Sequence, residues 1–255
     1  MIFFKKTCRA LLIAAFWIGV WAFAAWRFDK ALLFPSPLSV FQTLIKLLTT
    51  PEFYLVTVNS FLNIILGLAI GISCAALLSL LTFLIPFLKS LLAPLMAIIK
   101  ATPVASFIIL TLIFIGSAKV PTFITALIVF PIVWTNLDEG LHKIDPQLLE
   151  VAKVYQMPLL RKIRVLYLPS IKPYFLSACK SSLGLSWKAG IAAEIIAMPP
   201  DTIGTMIGEA KLYIMTSEMF AWTLTVVLLS LAIEYAFLAI FRKIERKTQL
   251  SKEVA

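Results

Sequence analysis

The sequence predicts an all-α protein that crosses a membrane about six times. Of its 255 residues, 61% are hydrophobic and only 14% are charged, whereas soluble domains have about 45–50% apolar residues. A soluble chain of this composition could not cover its apolar surface with polar groups. Several runs also reach the ~18 apolar residues that mark a membrane-spanning helix. Residues 1–255 are therefore predicted to form one polytopic membrane domain.

Six apolar runs have a suitable length and are taken as spans. The third is interrupted by Pro94 and Pro103. The first resembles a secretory signal, because Ala22-Phe23-Ala24 mimics a cleavage site. We favour an uncleaved span, because Trp26 and Arg27 follow directly and the stretch is long for a signal. The spans are predicted at residues 11–26, 56–84, 91–115, 120–137, 174–198 and 219–241.

The distribution of basic residues predicts which side of the membrane each loop faces. Fifteen Lys and Arg residues lie at the N-terminus, at Lys89, in the 138–172 loop and in the C-terminal tail, against five in the alternate loops. Basic residues gather on the cytoplasmic side. Both termini and the 138–172 loop are therefore predicted to be cytoplasmic.

Two further features concern helix packing outside the long loop. The segment 34–52 is amphipathic, with Ser36 as a candidate N-cap and Pro37 at the helix start, and we expect a helix on the outer membrane surface. Gly67 and Gly71 form a small-x-x-x-small pattern that indicates close helix packing. The predicted apolar face of the outer helix consists of Val40, Leu44, Leu47 and Leu48.

The 138–172 loop reads as two short helices. Asp145 is a natural N-cap, Pro146 suits the first helical position, Pro158 opens the second helix and Pro169 is expected to stop it. Both helices have an apolar and a basic face, and the apolar stripe of the first consists of Leu148, Ala152, Tyr155 and Leu159 at near-helical spacing. Such a pair can lie on anionic lipid, pack under the bundle or dock in a groove on a soluble partner.

This loop also carries a family resemblance. Residues 148–169 read LLEVAKVYQMPLLRKIRVLYLP, which resembles the E-A-A signature loop of ABC importer permeases. Glu150, Ala152 and the terminal Leu168-Pro169 match its order and spacing. Val151 replaces the first Ala, and Gln156 stands where a Gly is expected, which puts the sharpness of the turn in question. The stretches FPSPLSVFQTL, KATPVASFIILTLIFIGSAK and SWKAGIAAEIIAMPPDTIGTMIGEA are similar to segments of nitrate, sulfonate and taurine permeases.

The resemblance implies the partners and the roles of the loop residues. Permeases of this family are dimeric, and a homodimer is expected here. They bind two cytoplasmic ATPase subunits through the signature loop and receive solute from a periplasmic or lipid-tethered binding protein. Glu150 and Ala152 would set the docked shape of the loop. Arg161 and Arg164 would pair with ATPase carboxylates, or else face lipid. The family also places a re-entrant or surface helix after Pro199.

The predicted solute path combines intramembrane polar groups with a helix interruption, because both are costly in lipid. Lys100 beside the interruption is the candidate to attract a small anion such as a sulfonate, taurine or nitrate, although it could instead snorkel to the interface. The candidate path residues are Lys100, Thr102, Pro103, Ser186, Lys188 and Glu194.

Several other function classes are disfavoured. The chain has no G-x-x-x-x-G-K-[ST] loop, so ATP would be bound by the partner and no cofactor is expected on this chain. Cys8, Cys74 and Cys179 are scattered and His142 is the single histidine, so neither a metal site nor a catalytic group is predicted. The positive charge is assigned to cytoplasmic loops rather than to nucleic acid. A permease for a pyrimidine or thiamine precursor stays open, as does a stand-alone secondary transporter.

Overall fold

A computed structural model describes residues 2–28 and 33–253, and the side chains of residue 9 and of residues 12–28 and 33–239. The all-α prediction is confirmed, since every regular element in these residues is helical. A 3₁₀ turn covers Ser117–Lys119 and a π-helical segment covers Ile163–Tyr167. The α-helices are α1 (Ile2–Phe28), α2 (Pro37–Leu48), α3 (Pro51–Leu84), α4 (Pro86–Ala101), α5 (Val104–Ile115), α6 (Val120–His142), α7 (Pro146–Val154), α8 (Leu159–Lys162), α9 (Leu168–Ala197), α10 (Ile203–Leu212) and α11 (Thr216–Glu253).

Three described stretches have both the length and the apolar composition to cross a membrane, namely Pro51–Leu84, Ser117–His142 and Thr216–Ala239. Helices α4 and α5 together would make a fourth crossing, bent by 105°. Helix α9 has 30 residues, a length of about 45 Å, but it carries four charged side chains. Six crossings stays a prediction from the apolar runs. The side chains of Lys5, Lys6 and the basic tail from Arg242 lie outside the described residues.

Helix α6 packs between α3 and α9 at glycine contacts. A Cβ atom added at Gly67 would lie 2.7 Å from the Cβ of Thr125, and one added at Gly71 would lie 2.9 Å from the Cβ of Val129. The same test at Gly190 of α9 places the added atom 2.5 Å from Ile64 of α3. The expectation that Gly67 and Gly71 mark close packing is confirmed. This three-helix frame holds the other elements.

The predicted third span is two helices rather than one interrupted run. The break falls at Thr102 and Pro103, as expected, but Pro94 lies inside α4 without ending it, so that part of the prediction is wrong. The Lys89 ammonium lies 2.8 Å from the Asp138 carboxylate, and Lys100 donates a hydrogen bond to the Thr135 hydroxyl at 2.8 Å.

These two contacts set the direction of α4. Residues 89 and 100 are about 16 Å apart along a helix, whereas their partners on α6 are within one turn of each other. Helix α4 therefore runs across the end of α6, and α5 turns back along α6 and α9, where Ile108 is buried.

At the opposite end of the bundle, α2 begins as the sequence predicted. The Ser36 hydroxyl accepts a hydrogen bond from the Ser39 amide at 3.2 Å, and Pro37 occupies the first turn. The predicted apolar face is only partly buried in the bundle. Val40 and Leu44 pack against Phe53 of α3 and Trp222 of α11, and Leu47 is partly buried beside them. The fourth residue of that face, Leu48, is exposed, as are Leu38, Phe41 and Ile45.

The close packing generates a prediction with a matched control. Replacing Gly67 with Ala should lower the thermal stability of the purified chain, because overpacking costs about 1–3 kcal/mol. Gly19→Ala is the control, since an added Cβ there meets nothing within 4 Å. It should be neutral or stabilising by about 0.5–1 kcal/mol, because Ala favours helix more than Gly does. Thermal unfolding in detergent measures both, and equal midpoints would contradict the packing account.

Candidate functional site

The candidate site is the loop between α6 and α9, and it begins with a capped helix. The Asp145 side chain accepts a hydrogen bond from the Gln147 amide at 2.9 Å, and Pro146 is in the first turn of α7. Both sequence predictions for this helix start are confirmed. On α7 only Ala152 is buried, with 1% of its surface exposed, whereas Glu150 and Val151 face outward. Ala152 is thus the one residue of α7 that is shielded from solvent.

The turn after α7 keeps the conformation that a glycine would normally provide. Gln156 has φ = 46°, in the left-handed region. The Gln156 amide donates to the Lys153 carbonyl at 3.0 Å, and the Met157 amide donates to the Ala152 carbonyl at 3.0 Å. This pair of bonds is the Schellman motif that commonly ends helices. The chain therefore turns sharply despite Gln156, at the expense of a strained backbone position.

After the turn the chain forms one continuous helical path. Residues run from Leu159 through the π-helical segment directly into α9, so Pro169 does not stop the helix and that prediction is wrong. Proline lacks an N–H donor, and a π turn shifts the hydrogen-bond ladder at the point where a donor is missing. Of the residues between 159 and 167, only Leu166 is buried. The loop is thus joined rigidly to α9.

Four large apolar side chains project from this loop with little cover. Val154, Tyr155, Leu159 and Leu160 are between 69% and 82% exposed; together they are called the inner-loop surface, after the cytoplasmic side predicted for this loop. The predicted stripe of Leu148, Ala152, Tyr155 and Leu159 included two of them. It missed Val154 and Leu160, because the tight turn at Gln156 ends the periodicity that the stripe assumed.

Two arginines follow the residues of this surface in the sequence. Arg161 and Arg164 are exposed, and neither forms an ion pair with a described residue. At the start of the loop, a hydrogen bond from the Lys143 ammonium to the Glu139 carboxylate raises the pKa of Lys143.

Beside the loop, a cavity of about 610 Å³ separates the start of α9 from α3 and α6. It is lined by Ala76, Leu137, Leu168, Pro169, Ile171, Lys172 and Phe175.

The predicted path residues fall into two separate groups. Lys100, Thr102 and Pro103 are at the break between α4 and α5, where the Lys100 side chain is exposed. On α9, Lys188 is exposed, whereas Ser186 and Glu194 are buried. The Ser186 hydroxyl donates to the Leu183 carbonyl of its own helix at 2.8 Å. Within the described chain, no three His, Cys, Asp or Glu side chains group to hold a metal ion.

Comparison with known proteins shows the family to which the chain belongs. Residues 67–250, more than half of the chain, match the model of the binding-protein-dependent transport system inner membrane component family. The chain belongs to this family. Its resemblance to ABC importer permeases is thereby confirmed. The match contains the whole loop from Asp145 to Pro169, with the inner-loop surface at its centre.

Individual relatives align over shorter stretches. The chain is 32% identical over 92 residues to the putative aliphatic sulfonates transport permease protein SsuC of Bacillus subtilis, covering 36% of this chain and 33% of that protein. It is 38% identical over 88 residues to the bicarbonate transport system permease protein CmpB of Synechococcus elongatus, covering 34% and 31%. The aligned part thus spans about a third of each relative.

The strained turn gives a prediction for this family member. Gln156→Gly should stabilise the loop by about 1 kcal/mol, because the left-handed conformation costs other residues about 1–2 kcal/mol. Lys153→Gly, three positions earlier and inside α7, is the matched control. It should have the opposite sign, because glycine destabilises a helix interior by about 1 kcal/mol. Amide exchange of the 146–157 segment measures both. Faster exchange in Gln156→Gly would contradict the turn geometry.

Proposed function

We propose that the chain is the membrane-spanning subunit of an importer that moves a small anion into the cytoplasm, driven by ATP hydrolysis on a separate subunit. The observation that carries the proposal is the inner-loop surface. It is apolar and largely exposed, and it lies on a loop built like the family signature. Contiguous exposed apolar patches mark interaction sites. A groove on a cytoplasmic ATPase is the partner proposed for this surface.

The charges around the surface support a protein partner of complementary sign. Arg161 and Arg164 flank the apolar residues without an internal ion pair, so ATPase carboxylates are their proposed partners. Glu150 is exposed on the adjoining α7. The basic loop is assigned to the cytoplasm by the positive-inside rule. The proposal therefore places both termini inside, in the inner membrane of a bacterium.

Small anions are the proposed solute class. The two relatives are named for aliphatic sulfonates and for bicarbonate, and both are small anions. In this chain the exposed Lys100 ammonium lies next to the helix break at Pro103 and donates to Thr135. A fixed cation beside interrupted backbone suits an anion crossing the membrane. A pyrimidine or thiamine precursor has no corresponding observation in its favour.

The rest of the proposed assembly follows the family arrangement. It comprises two copies of this chain, two ATPase subunits and one solute-binding protein at the outer end. Ser177, Ser181, Gly184 and Lys188 are all exposed along one face of α9. Small residues allow close approach of helices in lipid, so this face is the proposed contact with the second copy.

A matched pair of tyrosines tests the docking role. Tyr155 in the inner-loop surface is 75% exposed, and Tyr213 at the opposite end of the bundle is 74% exposed. Tyr155→Asp should reduce ATPase co-purification at least tenfold, because a charge then replaces an aromatic side chain that docking would bury. Tyr213→Asp should leave co-purification unchanged. Both variants should keep the expression level and thermal stability of the parent chain, because each side chain is exposed.

Two outcomes of this experiment would refute the proposal. In the first, the unmodified chain fails to retain an ATPase subunit in mild detergent. In the second, the two tyrosine variants retain it equally. Uptake of labelled sulfonate, bicarbonate or nitrate into proteoliposomes that contain the whole assembly then tests the solute class.

A further inference from the structure

A carboxyl group at the outer end of α9 is among the fully buried polar groups of the described chain. Glu194 is fully buried, and its Oε2 atom accepts two hydrogen bonds. One comes from the Ser60 hydroxyl of α3 at 2.8 Å and the other from the Gly204 amide of α10 at 3.1 Å. The Ser60 oxygen in turn accepts a hydrogen bond from the Ile203 amide at 2.8 Å. Three helices therefore meet at one carboxyl group.

These bonds cap α10 with side chains from other helices. The first amides of a helix have no partner within it and need acceptors from elsewhere. Thr202, at the N-cap position, does not cap α10 with its side chain. Its hydroxyl donates to the Pro199 carbonyl instead. Glu194 and Ser60 satisfy the Gly204 and Ile203 amides in its place, and a carboxylate at this position also suits the helix dipole.

Helices α9 and α10 approach each other very closely at this contact. A Cβ atom added at Gly204 would overlap the Cβ of Glu194 and would lie 2.6 Å from the Ile195 amide nitrogen. Only glycine fits at this position. The other carboxyl oxygen of Glu194, Oε1, is buried without a hydrogen-bond partner. Both hydrogen bonds to this carboxyl group therefore fall on the single oxygen that faces α10.

Glu194 lies at the far end of the helix that continues from the inner loop. The path from Leu159 through the π segment to Ala197 is helical throughout, and α9 alone is about 45 Å long. One end of this path carries Leu159 and Leu160 of the inner-loop surface. The other end holds α10 by hydrogen bonds. A rigid, contiguous element of this kind can carry coupling between distant sites.

We propose that Glu194 and Ser60 are positioning residues that join α10 to the outer end of α9 and α3, so that movement of the inner loop is delivered to α10. The inference depends on the proposed function, because a docked ATPase supplies the movement. Glu194 thus acts through α10 rather than by touching solute. Its assignment changes from a lining of the solute path to a link between the two membrane faces.

The test uses the whole transporter, with its ATPase and binding protein, in lipid nanodiscs and proteoliposomes. Hydrogen exchange of residues 202–212 is compared with and without ATP. In the parent protein, this exchange should change on ATP binding. In Glu194→Ala, the Gly204 amide loses its acceptor, so its exchange should rise about tenfold. The exchange of residues 202–212 should no longer respond to ATP. ATP hydrolysis should continue while uptake falls at least tenfold.

Conservative variants separate positioning from folding. Glu194→Gln keeps an oxygen that accepts from Ser60 and Gly204, so uptake and the ATP response of α10 should stay within about threefold of the parent. Ser60→Ala removes one of the two caps and should fall between the two Glu194 variants. Ser182→Ala is the control on α9, because that buried hydroxyl bonds only within its own helix, and it should match the parent.

Failure of the inference differs from failure of the proposed function. If the parent chain recruits no ATPase, the proposed function fails at the first purification step, and the inference fails with it. Alternatively, the parent assembly pumps solute, and Glu194→Ala and Ser60→Ala both keep the ATP response and the uptake of the parent. That result overturns the inference and leaves the proposed function standing. If Glu194→Ala does not assemble, Ser60→Ala and Glu194→Gln decide. A Ser60→Ala variant identical to the parent would then overturn it.

Discussion

The close contact of α6 with α3 and α9 is the constraint on which the rest of the structure depends. Lipid offers no hydrophobic drive between helices, so their association relies on tight packing and on hydrogen bonds. Gly67 and Gly71 of α3 admit α6, and Gly190 of α9 admits Ile64 of α3. At the other end of α6, a Cβ atom added at Gly140 would lie 2.9 Å from the ring of Tyr174. The three helices therefore behave as one frame.

That frame gives α9 its mechanical role in the proposed mechanism. Its inner end continues without a break from the inner-loop surface, and its outer end holds α10 through Glu194. A ligand or partner shifts a conformational equilibrium only by its difference in affinity for the two states. ATPase closure would therefore act by favouring one position of the inner loop, and the rigid path through α9 would transmit that preference. The resulting movement would reach the solute at the outer end of α9.

Much of the fold could be predicted from local sequence signals. Apolar runs located α3, α6 and the outer part of α11, and the caps at Ser36 and Asp145 depend only on neighbouring residues. The prolines were harder to interpret. Pro94 is accommodated inside α4, whereas Pro103 lies at a break, and the outcome depends on tertiary contacts such as that between Lys100 and Thr135. Pro169 follows a π turn, which has no reliable sequence signature.

Only part of the candidate site could be predicted from the sequence, because some of its contacts join residues that are far apart along the chain. The loop signature pointed to Glu150 and Ala152 by their spacing, but Gln156 at the expected Gly position left the sharpness of the turn in question. The structure shows a sharp turn there, with Gln156 at φ = 46°. The role of Glu194 required knowledge of its partners, since Ser60 is 134 positions away. One signal was present: Ser60 lies at a helical spacing among Phe53, Val56 and Ile64, all of them apolar and buried. A lone polar residue in such a stripe needs a hydrogen-bond partner.

The most direct test of the central claim is photo-crosslinking from the inner-loop surface in living cells. A photoreactive amino acid would replace Leu160, which is 82% exposed, and the crosslinked product would be identified by mass spectrometry. The account predicts a covalent product with an ATP-hydrolysing subunit encoded by the same cell. Products formed only with lipid or with a second copy of this chain would contradict it.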